Sequence, residues 1–216
     1  MGRCIVTAQM TLDAVIDQVD EWWNPRHEAE AYNGTAAATG EGPAPMAHSL
    51  DMLRSADAMV LGRHTYEGLS RIWPQMHDPF GFADRVNSMP KYVASRTLSG
   101  PLEWNATLLE GDIADRVAEL KEAHPGNLLS YGCGELASSL IRSGRGLVDE
   151  VQLWVHPVAF GPGVRPFWAG DTPISLRLIS ATTFSSGVVL LNYQPLGERE
   201  RSSSGLQGGS YGMSFQ

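Results

Sequence analysis

Residues 58–73 read AMVLGRHTYEGLSRIW, and the fold turns on how this stretch is read. Ala58, Met59, Val60 and Leu61 form a short unbroken apolar run, as expected of a strand buried within a sheet. Gly62 ends the run and leads into HTYEGLSRIW, which reads as a helix. Where a strand passes through a glycine into a helix, a ligand can approach the backbone closely. The first turn of the helix then offers N–H groups and a partial positive charge. Arg63 adds a fixed cation whose planar donors suit phosphate. Gly62, Arg63, His64 and Thr65 together are therefore a candidate anion-binding turn.

Two further turns repeat the pattern. Lys91 to Ala94 reads as a strand and ends in Ser95, Arg96 and Thr97, two hydroxyls around a guanidinium. Leu128 to Tyr131 is another strand, and Gly132, Cys133, Gly134 and Glu135 turn it into a helix carrying Leu136, Leu140 and Ile141. Ala137 stands where the dinucleotide fingerprint G-x-G-x-x-G has its third glycine, so that motif alone says little. In an open α/β sheet, however, the carboxyl ends of parallel strands share one edge, and ligands bind there. Three phosphate-friendly turns are thus expected to converge on a ligand with several phosphates.

The rest of the chain fits this frame. Cys4 to Ala8 begins it as a strand, Met46 to Arg54 has helical spacing, and Thr107 to Leu109 is a short strand. Asp112 is positioned to cap a helix whose Ile113, Val117 and Leu120 share a face, and Gly144 stops the helix after it. Beyond that point the period becomes two: Val151, Leu153 and Val155 alternate with Gln152, Trp154 and His156. Leu176–Phe184 and Val188–Tyr193 flank Ser185, Ser186 and Gly187 as a hairpin. The expectation is an α/β fold, a mostly parallel central sheet flanked by helices with antiparallel C-terminal strands. Residues 24–45 read as a long loop, and residues 198–216 as a polar Gly/Ser-rich tail to a single domain over 1–197.

Composition sets the outer bounds. The 216 residues include 16 Lys and Arg against 24 Asp and Glu, a net charge of −8, with 43% hydrophobic residues. This composition excludes a chain disordered throughout, and it argues against a protein that binds nucleic acid through a generally basic surface. Cys4 and Cys133 are too few for a disulfide framework and suit a reducing, cytoplasmic setting. No apolar run approaches the ~20 residues of a membrane span. His27-Glu28 lacks the second histidine of H-E-x-x-H, no Cys/His spacing suits zinc, and no G-x-S-x-G elbow is present. His156 reads as a half-buried sheet residue, and Trp22 and Trp23 as packing or as cover for a flat ring.

Met10-Thr-Leu-Asp13, Val60 to Glu67, Lys91 to Arg96, Tyr131 to Glu135, and Leu147 to Glu150 followed by Val155 to Val158 occur in an order that resembles the reductase domain of riboflavin biosynthesis, the RibD C-terminal domain, and its dihydrofolate-reductase-like relatives. The resemblance covers roughly residues 3 to 196. It implies an NADPH-dependent reductase acting on a small cyclic or heteroaromatic substrate. Gly62, Arg63, His64 and Thr65 would hold cofactor phosphates, and Ser95 and Arg96 the 2′-phosphate. Gly132, Cys133, Gly134 and Glu135 would line the pyrophosphate and nicotinamide side, with Cys133 a small bystander. Asp13 falls in a segment similar to the family's Ser-Leu-Asp-Gly, with Ala14 in place of the glycine. As a catalytic candidate its role is substrate hydrogen bonding or proton delivery, and the alternative is the capping of loop N–H groups.

The proton donor stays open. The position equivalent to the acid of true dihydrofolate reductases falls near Met46, with Asp51 further along the same helix. A register anchored on Trp23, Asn24 and Pro25 selects Glu28 instead. A homodimer is implied by relatives that pair through their terminal strands, and the alternation from Val151 to Val155 is expected to extend that surface. The other readings are reduction of 5-amino-6-(5-phosphoribosylamino)uracil and a nucleotide-binding protein without catalysis.

Overall fold

The apolar run at 58–61 lies within strand β2, Ala56–Gly62, in a computed structural model that describes residues 1–17, 19–22, 45–161 and 173–197. Val60 packs on one face of the sheet and Met59 and Leu61 on the other, all fully buried. Burial on both faces is why the strand is apolar throughout rather than alternating. The same holds for β1, Cys4–Thr11, and β5, Asn127–Tyr131.

These strands join β3 (Lys91–Ala94), β4 (Ala106–Leu109), β6 (Glu150–His156), β7 (Leu176–Thr183) and β8 (Val189–Pro195) in one eight-stranded sheet of order β4-β3-β2-β5-β1-β6-β8-β7. Every pairing from β4 to β6 is parallel, and the β6–β8 and β8–β7 pairings are antiparallel. The expected mostly parallel sheet with antiparallel C-terminal strands is therefore what forms. The helices are α1 (Val19–Trp22), α2 (Pro45–Arg54), α3 (Arg63–Ile72), α4 (Phe82–Ser88), α5 (Ile113–Ala123) and α6 (Glu135–Arg142). Val117 of α5 and Ala137 and Leu140 of α6 cover one face, while Met52 and Leu53 of α2, Tyr66 of α3 and Val86 of α4 cover the other.

Local signals act where the sequence places them. Asp112 accepts the N–H of Asp115 at 3.0 Å and caps α5, and Gly144 takes φ +67 just past the end of α6. Gly187 takes φ +83 in the β7–β8 turn, where Gly187 N–H donates to the Phe184 carbonyl. Helix α4 has no counterpart in the sequence reading. Its start is built by Asp78, whose carboxylate accepts the N–H groups of Phe80, Phe82 and Ala83.

The period-two segment needs correction. Val151 and Leu153 lie in the core against α5 and α6, and Trp154 is 1% exposed on the opposite face, stacked on Phe184. Val151 and Leu153 are therefore not available as a surface for pairing two copies. His156 is buried rather than half-buried.

The start of the sheet is closed by charge. The Lys121 ammonium, 3% exposed, donates to the Asp149 carboxylate and the Leu147 carbonyl, and Asp149 also accepts the N–H of Cys4. Asp57 holds the N–H of Gly126 alongside. No helix among the described residues is long and apolar enough to cross a membrane.

Candidate functional site

The parallel strands end at Leu109, Ala94, Gly62, Tyr131, Thr11 and His156 along one edge of the sheet. Gly62 is the N-cap of α3 and Gly134 the N-cap of α6, and neither helix has a side-chain cap. By contrast, Asp112 occupies this place on α5. Two helix N-termini at this edge thus present N–H groups without a side-chain partner, the arrangement that suits an anion.

The turns are in contact. Thr65 of α3 donates its hydroxyl to the Tyr131 carbonyl at the end of β5, 3.3 Å away. Gly132, at φ +85, is held by its N–H on the Thr7 carbonyl, and a Cβ there would lie 3.4 Å from the Thr65 hydroxyl. A Cβ on Gly134 would meet nothing within 4 Å, so this glycine leaves open space beside the backbone. The third turn is joined by an ion pair, Arg96 Nη2 to Glu135 Oε1 at 2.9 Å. The Ser95 hydroxyl accepts the N–H groups of Thr97 and Leu98 and so shapes its own turn. Arg63 pairs with Glu67 at 3.1 Å and touches the His64 ring nitrogen. The cationic character expected of the cleft is therefore offset, because each arginine already holds a carboxylate.

Cys133 is 3% exposed, and burial pushes its thiol up to about 12. It packs as a small apolar residue and supplies no thiolate. Asp13 accepts the Thr11 hydroxyl at 2.6 Å, the Gly161 N–H at 2.7 Å and the Phe160 N–H at 3.0 Å. These donors, the hydroxyl foremost, hold its carboxyl down at about 2. At neutral pH Asp13 is an acceptor that ties the loop after β1 to the loop after β6. Asp51 lies at the other end of the sheet, lining a hollow of about 400 Å³ with Arg3, His48 and Glu150. A second hollow, of about 270 Å³ between Leu140 and Gly197, also lies away from the three turns. Trp23, His27, Glu28 and the loop expected at 24–45, apart from Pro45, lie outside the described residues, as does the tail at 198–216.

Gln9 is the residue that sequence reading passed over. Its amide oxygen lies 2.6 Å from His156 Nε2, and the Trp22 ring stands edge-on to His156 at 5.4 Å. Trp22 donates its indole N–H to the Asp17 carbonyl and packs against the sheet. A glutamine between Ala8 and Met10, on the same face of β1 as Thr7 and Thr11, was the available signal. Among the described residues, no group of three or more His, Cys, Asp or Glu side chains is placed to hold a metal ion.

An eight-stranded sheet of this order, with paired glycine-started helices at its carboxyl edge, defines a dihydrofolate-reductase-like α/β domain. Residues 3–190 match the RibD C-terminal domain, and the chain belongs to that family. The uncharacterized protein YyaP of Bacillus subtilis is 32% identical over 146 residues, covering 66% of this chain and 76% of that protein. A putative riboflavin biosynthesis protein from Shewanella sp. PV-4 shares the fold with a TM-score of 0.61 at 20% identity, over 90% of this chain and 99% of that one. A Thermotoga maritima diaminohydroxyphosphoribosylaminopyrimidine deaminase/5-amino-6-(5-phosphoribosylamino)uracil reductase gives a TM-score of 0.57 at 16% identity, over 90% of this chain and 57% of that one.

Proposed function

We propose that the protein is an NADPH-dependent reductase whose cofactor lies across the three joined turns and whose substrate is a small cyclic or heteroaromatic molecule. The observation that carries this reading is the contact of two uncapped, glycine-started helices through Thr65 and the Tyr131 carbonyl, with Arg96 reaching Glu135 from the third turn. Membership of the RibD C-terminal domain family supports it.

The residues present fit a dinucleotide. The left-handed backbone at Gly132 and the open space at Gly134 leave room for a phosphate against the start of α6. Gly62, Arg63, His64 and Thr65 would hold phosphate at α3, Ser95 and Arg96 the 2′-phosphate, and Gly132, Cys133 and Gly134 the pyrophosphate and nicotinamide side, while the Glu135 carboxylate turns to Arg96. When bound, the cofactor supplies the hydride. Asp13 serves as a hydrogen-bond acceptor that positions the loops after β1 and β6, and the proton comes from another group or from water.

Reduction of 5-amino-6-(5-phosphoribosylamino)uracil is the second reading, supported by the activity named for the Thermotoga neighbour. We also propose a cytoplasmic homodimer. With Val151 and Leu153 inside the core, the exposed Leu178 and Ile179 of edge strand β7 are its contact residues.

The test is titration of wild type and Arg96→Ala with NADPH and NADH, followed by NADPH consumption over a panel of pyrimidine and pterin substrates. Preference for NADPH in the wild type, lost in Arg96→Ala, is expected. Equal affinity for both cofactors in the wild type would remove the 2′-phosphate assignment. Tight NADPH binding without turnover of any candidate would favour a binding protein. Sedimentation at micromolar concentration tests the dimer, and a monomer there overturns it.

A further inference from the structure

The two arginines of the cleft are paired in different ways. Arg63 and Glu67 are four residues apart on one helix, each side chain about one-third exposed. Their pairing is a local consequence of helix geometry. Arg96 and Glu135 are 39 residues apart and belong to different strand–helix units, and their side chains are 87% and 78% exposed. Their ion pair spans the cleft from the end of β3 to the first residue of α6.

Glu135 is held in place by two attractions. As the first residue of α6 it sits where the helix dipole favours negative charge, and its carboxylate meets the Arg96 guanidinium at 2.9 Å. Both are also the attractions an incoming phosphate would use. We propose that Glu135 is a specificity-determining residue that competes with the ligand's 2′-phosphate for Arg96 and so sets how strongly a phosphorylated cofactor is preferred. This inference rests on the cofactor reading above and deepens it.

The chemistry supports displacement rather than exclusion. An exposed ion pair contributes little to stability and is screened by salt, so the Glu135 side chain can swing into solvent at small cost. A phosphate monoester carries more negative charge than a carboxylate and three acceptor oxygens, so it is the stronger partner for a guanidinium. It binds against two opposing effects: loss of the Arg96–Glu135 contact and repulsion from the nearby carboxylate. A ligand with a 2′-hydroxyl meets neither. Glu135 therefore lowers affinity for NADPH and 2′,5′-ADP while leaving NADH nearly untouched.

The opposite outcome has an equally clear physical basis. If Glu135 orients Arg96 for the phosphate, its removal weakens phosphate binding. The direction of the change decides between the two.

Binding of NADPH, NADH and 2′,5′-ADP is measured calorimetrically for wild type, Glu135→Gln and Glu119→Gln. The last makes the same charge change on α5, where Glu119 pairs with Arg116. Glu135→Gln is expected to bind NADPH and 2′,5′-ADP roughly three- to fivefold tighter at low salt, an advantage that fades at high salt. NADH affinity and the Glu119→Gln protein should match wild type. Unchanged or weaker binding of the phosphorylated ligands by Glu135→Gln overturns the proposal. So does an equal gain for NADH, which would place the effect at the pyrophosphate. Wild-type protein that binds none of the three ligands overturns the nucleotide reading itself, and this inference with it.

Discussion

The Asp13 carboxylate accepts the backbone N–H of Gly161 at 2.7 Å, joining two loops that are 148 residues apart in the chain. With Phe160 N–H and the Thr11 hydroxyl also donating, the charged form is favoured and the carboxyl is held at about 2. A carboxyl depressed in the folded state adds stability above its unfolded value, near 3.9, and loses it as the pH falls toward 2. Carboxyl NMR should show Asp13 still ionised at pH 3. A pH–rate profile between 5 and 8 should keep its shape in Asp13→Asn, because Asp13 supplies no titration in that range. A titration step in that range that Asp13→Asn abolished would restore it as the proton donor.

Ala14 takes φ +65, a left-handed conformation that costs an alanine but not a glycine. It is the position where the resembling family carries glycine. Ala14→Gly should raise stability by about 0.5–1 kcal/mol, the strain relieved exceeding the entropy added to the unfolded chain. Urea unfolding would show a higher midpoint at an unchanged slope. A lower midpoint would mean that the left-handed turn carries no strain.

Gly134 separates a structural from a ligand-binding role. Its backbone is extended, at φ −78, and a Cβ there meets no neighbour, so Gly134→Ala should change stability by less than about 0.5 kcal/mol. The same methyl would stand in the space assigned to the dinucleotide. NADPH affinity should fall at least tenfold, roughly 1.4 kcal/mol, while the melting temperature holds. Unaltered affinity would place the phosphates elsewhere.

Lys91 is fully buried, donates to the Asn87 carbonyl at 2.9 Å and stands 4.1 Å from the centre of the Trp104 ring. Burial pushes its ammonium down to about 8. A lysine lowered in the folded state leaves the unfolded chain holding more protons between pH 8 and about 10.5, so its contribution to stability rises with pH across that window. Comparing urea midpoints at pH 7.5 and 10, the rise attributable to Lys91 should vanish in Lys91→Met. Parallel behaviour of the two proteins would mean that the ammonium is stabilised as well as it is in water.

What the sequence reveals follows from how local each cause is. The strand at 58–61 is legible because two-sided burial demands an unbroken apolar run, and the α5 start because Asp112 lies directly before its helix. Helix α4 is hidden because Asp78-Pro79-Phe80-Gly81 reads as a turn. Only the three N–H groups gathered by Asp78 show that this turn opens a helix. Arg63 and Glu67 can be paired from their spacing, but Arg96 and Glu135 meet only because the strand order sets β3, β2 and β5 side by side. Gln9 and His156 likewise need the β1–β6 register.

The pairing of buried Lys121 with the half-buried Asp149 gives the molecule a division of labour. At the strand starts, a charge with no access to water ties α5, the approach to β6 and the first residue of β1 into one knot. Removing Asp149 would strand the Lys121 ammonium among backbone carbonyls alone, so this base resists change. At the opposite rim, contact between turns runs through the Thr65 hydroxyl and the solvent-facing Arg96–Glu135 ion pair, either of which can be exchanged without unfolding the sheet. New specificities can therefore evolve at the rim while the base stays constant, one turn at a time.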